Sequence, residues 1–128
     1  FAERALAIEV AAAGAPDFRG ELQDLEEIVG NLVENACRYA AGHVRIEAAG
    51  GNDRLVLVVE DDGAGLDPDA MTRATRRGER LDEKGPGTGL GLAIVSDLVE
   101  LYGGTLTLDT AALGGLHARV ELPAARRG

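Results

Sequence analysis

The chain has no tryptophan, two tyrosines, two phenylalanines, one methionine, one cysteine and a single lysine among its 128 residues. With aromatics at only 3%, a core has to be packed from Ala, Leu, Val and Ile, which supply most of the 45% hydrophobic content. The lone cysteine, Cys37, excludes an internal disulfide, and no Cys or His pair has zinc-site spacing, so a reducing compartment fits. Cys37 borders an apolar helical stripe and is expected to be a buried thiol without a redox role. No apolar stretch reaches about 18 residues and no basic segment precedes an apolar one, so no span or export signal is expected. Positive charge is also scarce: 13 Lys and Arg face 22 Asp and Glu, a formal net charge of −9. That balance excludes a general nucleic-acid or anionic-membrane surface, but a local arginine cluster could still hold a phosphate group. The length suits one domain, residues 1–128. Because the chain begins at Phe1 rather than Met, it is expected to be a fragment of a longer protein.

What is present has a clear order. Leu6 to Ala12 reads as a strand, bounded by Gly14, Ala15 and Pro16. In residues 21 to 41 the apolar positions Leu22, Leu25, Val29, Leu32, Val33, Ala36 and Ala40 recur at helical spacing, and Gly42 stands where a C-terminal cap belongs. Val44 to Ala49 and Leu55 to Val59 are β-like runs separated by Gly50-Gly51-Asn52-Asp53, a hairpin signal. Pro68 to about Ala74 reads as a short helix opened by Asp67, and residues 76 to 89 as a mobile loop rich in Arg and Gly. Leu90 to Tyr102 is a second amphipathic helix ended by Gly103-Gly104. Strands Thr105 to Asp109 and His117 to Leu122 follow, and the tail AARRG is expected to fray. Helices between strands and several hairpins give an α+β domain, a mixed sheet of about five strands covered on one face by about three helices.

Three clusters carry chemistry. EDDGAG, residues 60 to 65, runs two adjacent carboxylates into glycines at the end of an apolar run, which suits a metal site, a pair of acids or an acidic turn. On the first long helix Asn31, Asn35, Arg38 and Tyr39 fall at i, i+4, i+7 and i+8, one side that is either solvated or prepared to face something polar. Asn is a poor helix former, and its amide oxygen suits Mg²⁺, which takes oxygen ligands and reaches protein through one or two groups plus substrate phosphates. GPGTGLGL, residues 85 to 92, leads straight into a helix start, where backbone N–H groups and the dipole attract anions. Lys84 precedes these glycines, so GxxxxGK[ST] is absent, and no strand leads into the loop as a dinucleotide turn requires. Arg76, Arg77, Arg80 and Lys84 stand just upstream and could fold over a phosphate.

In order, NLVENACRY (31 to 39), DDGAG (61 to 65) and GTGLGL (87 to 92) resemble the N, G1 and G2 boxes of the GHKL ATP-binding superfamily. The resemblance is closest to the catalytic and ATP-binding domain of bacterial sensor histidine kinases, with GNLVENACRYA, VVEDDGAG, RRGERLD and GPGTGLGLA most like kinases of the PhoQ type. It implies the Bergerat fold, a two-layer α/β sandwich with a mobile ATP lid, and ATP with Mg²⁺ as ligands. It assigns Asp61 to the exocyclic amine of adenine, with Gly63 and Gly65 letting the backbone approach the base. Asn35 becomes the Mg²⁺ ligand, Asn31 supports the metal and phosphates, Arg38 stands near the phosphates and Tyr39 lies against the nucleotide. Gly87, Thr88, Gly89, Leu90 and Gly91 hold the phosphates and hinge the lid, for which Arg80, Arg77 and Lys84 are the cationic candidates. Asp62 is expected to face solvent or bind local backbone. The aromatic F box usual between G1 and G2 is absent, with Ala74, Thr75 and Arg76 in that region.

Members of the superfamily that hydrolyse ATP carry a Glu where this chain has Asn31, and an amide cannot take a proton from water. Glu34 lies about 100° around the helix from Asn35 and reads as a surface residue. The resemblance therefore implies a protein-histidine kinase domain that transfers the γ-phosphate to an imidazole on a separate dimerisation domain, with Asn31, Asn35 and Arg80 as its catalytic set. Neither His43 nor His117 has the helical acidic surroundings of such an acceptor. A response regulator would be served indirectly, and the parent would be a homodimer anchored in the bacterial inner membrane with this domain in the cytoplasm, the fragment itself being a monomer because dimerisation belongs to the absent domain. The alternatives are a serine kinase of the anti-sigma-factor type and an inactive ATP-binding interaction module.

Overall fold

The computed structural model describes residues 6–12, 14–51, 53–74 and 90–125. The expectations for the lid (Arg76, Arg77, Arg80, Lys84), for Gly87, Thr88 and Gly89, and for the last three residues of the tail lie outside them.

Eight elements follow one another: β1 (Ala7–Ala11), α1 (Leu22–Tyr39), β2 (His43–Gly51), β3 (Arg54–Asp61), α2 (Pro68–Ala74), α3 (Leu90–Leu101), β4 (Thr105–Thr110) and β5 (Leu116–Pro123). The sheet runs β1-β2-β3-β5-β4, with β1 parallel to β2 and every other neighbour antiparallel. This is the mixed five-stranded sheet expected from the sequence. The strands extend past the apolar runs, so that Gly51 pairs with Arg54 and the β2–β3 hairpin closes over only the two positions between them.

Strand parity decides what faces the helices. Leu55, Leu57 and Val59 of β3 and Ala118, Val120 and Leu122 of β5 are buried, and they pack with Ile28, Leu32 and Ala36 of α1 and Leu92, Val95 and Val99 of α3. Fully burying each of these Leu, Ile or Val side chains is worth roughly 1.5–3 kcal/mol, so an aliphatic core suffices without tryptophan. Cys37 is buried at the edge of the same stripe, as expected. On the opposite face Glu9, Arg45, Glu60 and His117 form one register row across four strands. There the Glu60 carboxylate, nearly inaccessible to solvent, meets Arg45 Nη1 at 3.6 Å and His117 Nδ1 at 2.6 Å.

The helix ends follow local chemistry, with one correction. Asp67 opens α2, its Oδ1 accepting the Ala70 N–H at 2.8 Å. At the end of α3 the Gly104 N–H donates to the Val99 carbonyl and the Gly103 N–H to the Glu100 carbonyl, the paired bonds of a Schellman motif, with Gly103 at φ 71°. Gly42 does not cap α1. The cap is Ala40, extended at φ −64° and ψ 144°, and Gly42 is not among the glycines of positive φ. The chain is turned into β2 by a carboxylate from β3's end instead.

Candidate functional site

Asp61 is the fourth member of the inward row Leu55, Leu57 and Val59, placed by parity among core residues and only 2% exposed. Its Oδ1 accepts the Gly63 N–H at 2.8 Å, and the Leu116 N–H donates to the same carboxylate. Burial pushes its pKa above the ordinary 3.8, an effect only partly offset by these two backbone donors. A carboxylate so enclosed can still accept a hydrogen bond from a polar partner.

The partner's space adjoins it. A cavity of about 330 Å³ is lined by Asn35 and Tyr39 from α1, Asp61 from β3, Ala64, Gly65 and Leu66 from the turn beyond, Leu92 from α3 and Leu116 from β5. One buried acid in a mostly aliphatic pocket suits a flat, apolar ring with a hydrogen-bonding edge. Gly63 lies so close to α1 that a Cβ there would stand 2.0 Å from the Tyr39 carbonyl oxygen, and Gly65 turns the chain at φ 73°.

Four sequence-predicted residues, Asn35, Tyr39, Asp61 and Gly65, thus share one cavity. Asn31 does not line it. Its Nδ2 donates to the Glu27 carbonyl at 2.7 Å, and its Oδ1 would stand 3.0 Å from a Cβ on Gly91, at the first turn of α3. The N box and the end of the G2 box therefore meet although 60 positions separate these two residues. Arg38 is also outside the cavity lining, with Nη2 3.3 Å from Glu34 Oε1 on an exposed helix face. Leu90 begins α3. Sequence reasoning missed Leu66, Leu92 and Leu116 as cavity walls. Leu92 was the closing residue of the third box, whereas Leu116 carries no local signal.

Asp62 departs from expectation. Its carboxylate binds backbone, but that of residues about 20 positions earlier: Oδ1 accepts the N–H groups of Ala41, Gly42 and His43 at 2.8, 3.0 and 3.0 Å. Those donors, Gly42 foremost, hold its pKa well below the ordinary carboxylate range.

Residues 20–126 match the family model described as histidine kinase-, DNA gyrase B-, and HSP90-like ATPase. The chain belongs to this family. Its relatives include the sensor protein kinase CarS of Pseudomonas aeruginosa, 42% identical over 123 residues that make up 94% of this chain and 28% of CarS. The two-component sensor PhoQ of the same organism is 47% identical over 97 residues, 76% of this chain and 22% of PhoQ. The chain thus spans about a quarter of the length of these curated relatives. Among solved structures, full-length ShkA in complex with AMPPNP superposes with a TM-score of 0.75 at 32% identity, covering 95% of this chain and 27% of ShkA. Sheet and helices are accordingly those of this histidine kinase-like ATPase family, as the three boxes implied.

As to a metal, among the described residues no group of three His, Cys, Asp or Glu could hold an ion. Beside the Asp61 carboxylate, which already accepts the Gly63 N–H, the half-buried Asn35 amide lines the cavity as a neutral oxygen donor. That fits a cation that arrives with a polyphosphate, as Mg²⁺ does, rather than one held in a protein cage.

Proposed function

We propose that this chain is the Mg²⁺–ATP-binding catalytic domain of a two-component sensor kinase, and that it passes the γ-phosphate to a histidine on a separate dimerisation domain of its parent. The observation that carries the proposal is the Asp61 carboxylate, 2% exposed and held by two backbone N–H groups at an aliphatic cavity. Adenine offers an N6–H donor there, whereas guanine would present its O6 acceptor to a carboxylate, so the site selects ATP over GTP. Leu66, Leu92 and Leu116 provide apolar surface for the base, and Tyr39 lies along its edge.

Asn35 is the residue to hold Mg²⁺, which when bound neutralises phosphate charge. Asn31, on α1 and facing Gly91 in the first turn of α3, supports the metal and phosphate region in this reading. Arg80, Arg77 and Lys84, with the glycines at 87, 89 and 91 and Thr88, complete the phosphate site in this reading.

Transfer rather than hydrolysis is favoured by Asn31, an amide that cannot take a proton from water where the hydrolysing members carry a Glu. The cavity supplies no acid in its place: its one carboxylate among the described residues is Asp61, which is engaged by backbone donors, while Glu34 is exposed and paired with Arg38. No described acid stands ready to activate water, so the domain would bind ATP and wait for an imidazole brought by its partner. In the parent, residues 1–128 would form one domain of a membrane-anchored homodimer, facing the cytoplasm and serving a response regulator indirectly. Among the described residues no helix is long and apolar enough to cross a membrane.

Calorimetric titration of Mg²⁺–ATP, with GTP as control, into the wild type and Asp61→Asn tests the binding half. Selective ATP binding lost in the variant supports it, and absence of binding at millimolar nucleotide refutes it. Adding the helical dimerisation domain and looking for phosphohistidine tests the transfer half.

A further inference from the structure

The two carboxylates of EDDGAG point to different tasks. Asp61 faces the cavity, and Asp62 reaches the link between α1 and β2. One oxygen of Asp62 collects three successive N–H groups, from Ala41, Gly42 and His43, and the other lies 3.1 Å from His43 Nδ1. The Asp62 main chain joins the same link, its N–H donating to the His43 carbonyl at 3.2 Å. Three consecutive amides turned onto one anionic oxygen form a backbone nest, and bonds to an ionised acceptor are roughly twice as strong as neutral ones.

This link is the place where α1 lacks the usual glycine stop. Ala40 is extended and Gly42 is not left-handed, so the reversal over residues 40–42 is fastened from outside, by Asp62. Immediately on either side stand the residues that matter to the cavity: Tyr39 precedes the link, Asp61 precedes the clamp, and the Gly63 backbone touches the Tyr39 carbonyl. We propose that Asp62 is a positioning residue for the base pocket, clamping the α1–β2 link to the end of β3 and so setting the spacing of Tyr39 and Asp61. The proposal rests on the reading that the cavity takes adenine. Because Ala41 and His43 are exposed, water can replace the clamp's hydrogen bonds. Its loss therefore falls more on pocket geometry than on stability.

The test combines Mg²⁺–ATP calorimetry on wild type, Asp62→Ala, Asp62→Asn and Val120→Ala with amide hydrogen exchange on the nucleotide-free wild type and Asp62→Ala. Asp62→Asn keeps an acceptor oxygen for the three N–H groups. Val120, buried in the core and away from the cavity lining, reports what general destabilisation does. Asp62→Ala is expected to weaken binding by about tenfold or more, because a pocket that is no longer preorganised must be ordered by its ligand. Asp62→Asn should recover most of that loss, Val120→Ala should stay within about twofold of wild type, and the Gly63 amide should exchange faster in Asp62→Ala. Binding by Asp62→Ala equal to wild type, or an equal loss in Val120→Ala, overturns the clamp. If the wild type binds no Mg²⁺–ATP, the adenine reading falls, and exchange decides the clamp: an unchanged Gly63 amide overturns it and an accelerated one upholds it.

Discussion

Gly115 donates its N–H to the Asp61 carbonyl oxygen at 3.1 Å, and a Cβ on Gly115 would stand 2.1 Å from the Oδ1 of the same aspartate. The turn between β4 and β5 is thus pressed against the acid of the G1 box, which no other residue type would permit. Gly115→Ala is expected to cost about 1–3 kcal/mol through this overlap, and Gly63→Ala a similar amount through the Tyr39 carbonyl. Urea unfolding of both variants, with the distant Gly30→Ala as a reference that meets nothing within 4 Å, checks the order.

The raised pKa of Asp61 predicts a direction for stability against pH. A carboxyl raised by burial contributes stability that is present below its unfolded value and is lost as pH rises through its folded value. Asp61→Asn has no such loss. Its melting temperature relative to wild type should therefore climb as pH rises above the ordinary value of 3.8. A flat difference would show that the backbone donors cancel the burial.

Asp62 predicts the opposite sign. Its pKa is depressed, so its contribution is complete above the unfolded value near 3.8 and drains away as pH falls toward the folded value. Melting curves of wild type and Asp62→Ala should be separated at neutral pH and converge in strong acid. Curves equally separated throughout would mean that the charge of Asp62 contributes nothing.

Leu92 joins the core to the cavity, being 1% exposed yet part of the lining. Leu92→Ala should destabilise the protein by about 2–5 kcal/mol and leave a larger, looser pocket. Denaturant unfolding measures the first effect, and weaker nucleotide binding in the calorimeter the second.

Tyr102 ties the end of α3 to the start of α1: its hydroxyl donates to Asp24 Oδ2 at 2.5 Å and accepts the Glu21 N–H at 3.2 Å, while its ring meets Phe18 edge-on at 5.0 Å. Glu21 caps α1 without a side-chain bond, and this hydroxyl instead fixes the N–H of the cap residue itself, anchoring the helix start from outside. Tyr102→Phe should keep the ring contact and lower the melting temperature modestly. Proteolysis or hydrogen exchange should locate the loosening at the first turn of α1.

Much of this architecture was legible in advance. Leu25, Leu32 and Ala36 at helical spacing and the alternation through β3 and β5 follow from side-chain periodicity, which is local. The Gly103 cap and the Asp67 cap were likewise visible, because each is satisfied within a few residues. Gly42 misled for the opposite reason: its position suited a cap, but the reversal it marks is held by a carboxylate 20 residues away.

What the sequence determined alone was therefore the set of elements, the aliphatic core and the three boxes with their polar residues, since these rest on short-range pattern and composition. Tertiary structure decided which residues meet: Asn31 against Gly91, Gly115 against Asp61, Asp62 against the α1–β2 link, and Leu66, Leu92 and Leu116 around one cavity. These meetings depend on strand order and register, in which β5 is laid beside β3 and α3 beside α1. Such pairings are chosen by the joint burial of both partners, a long-range free energy that no local stretch of chain encodes by itself.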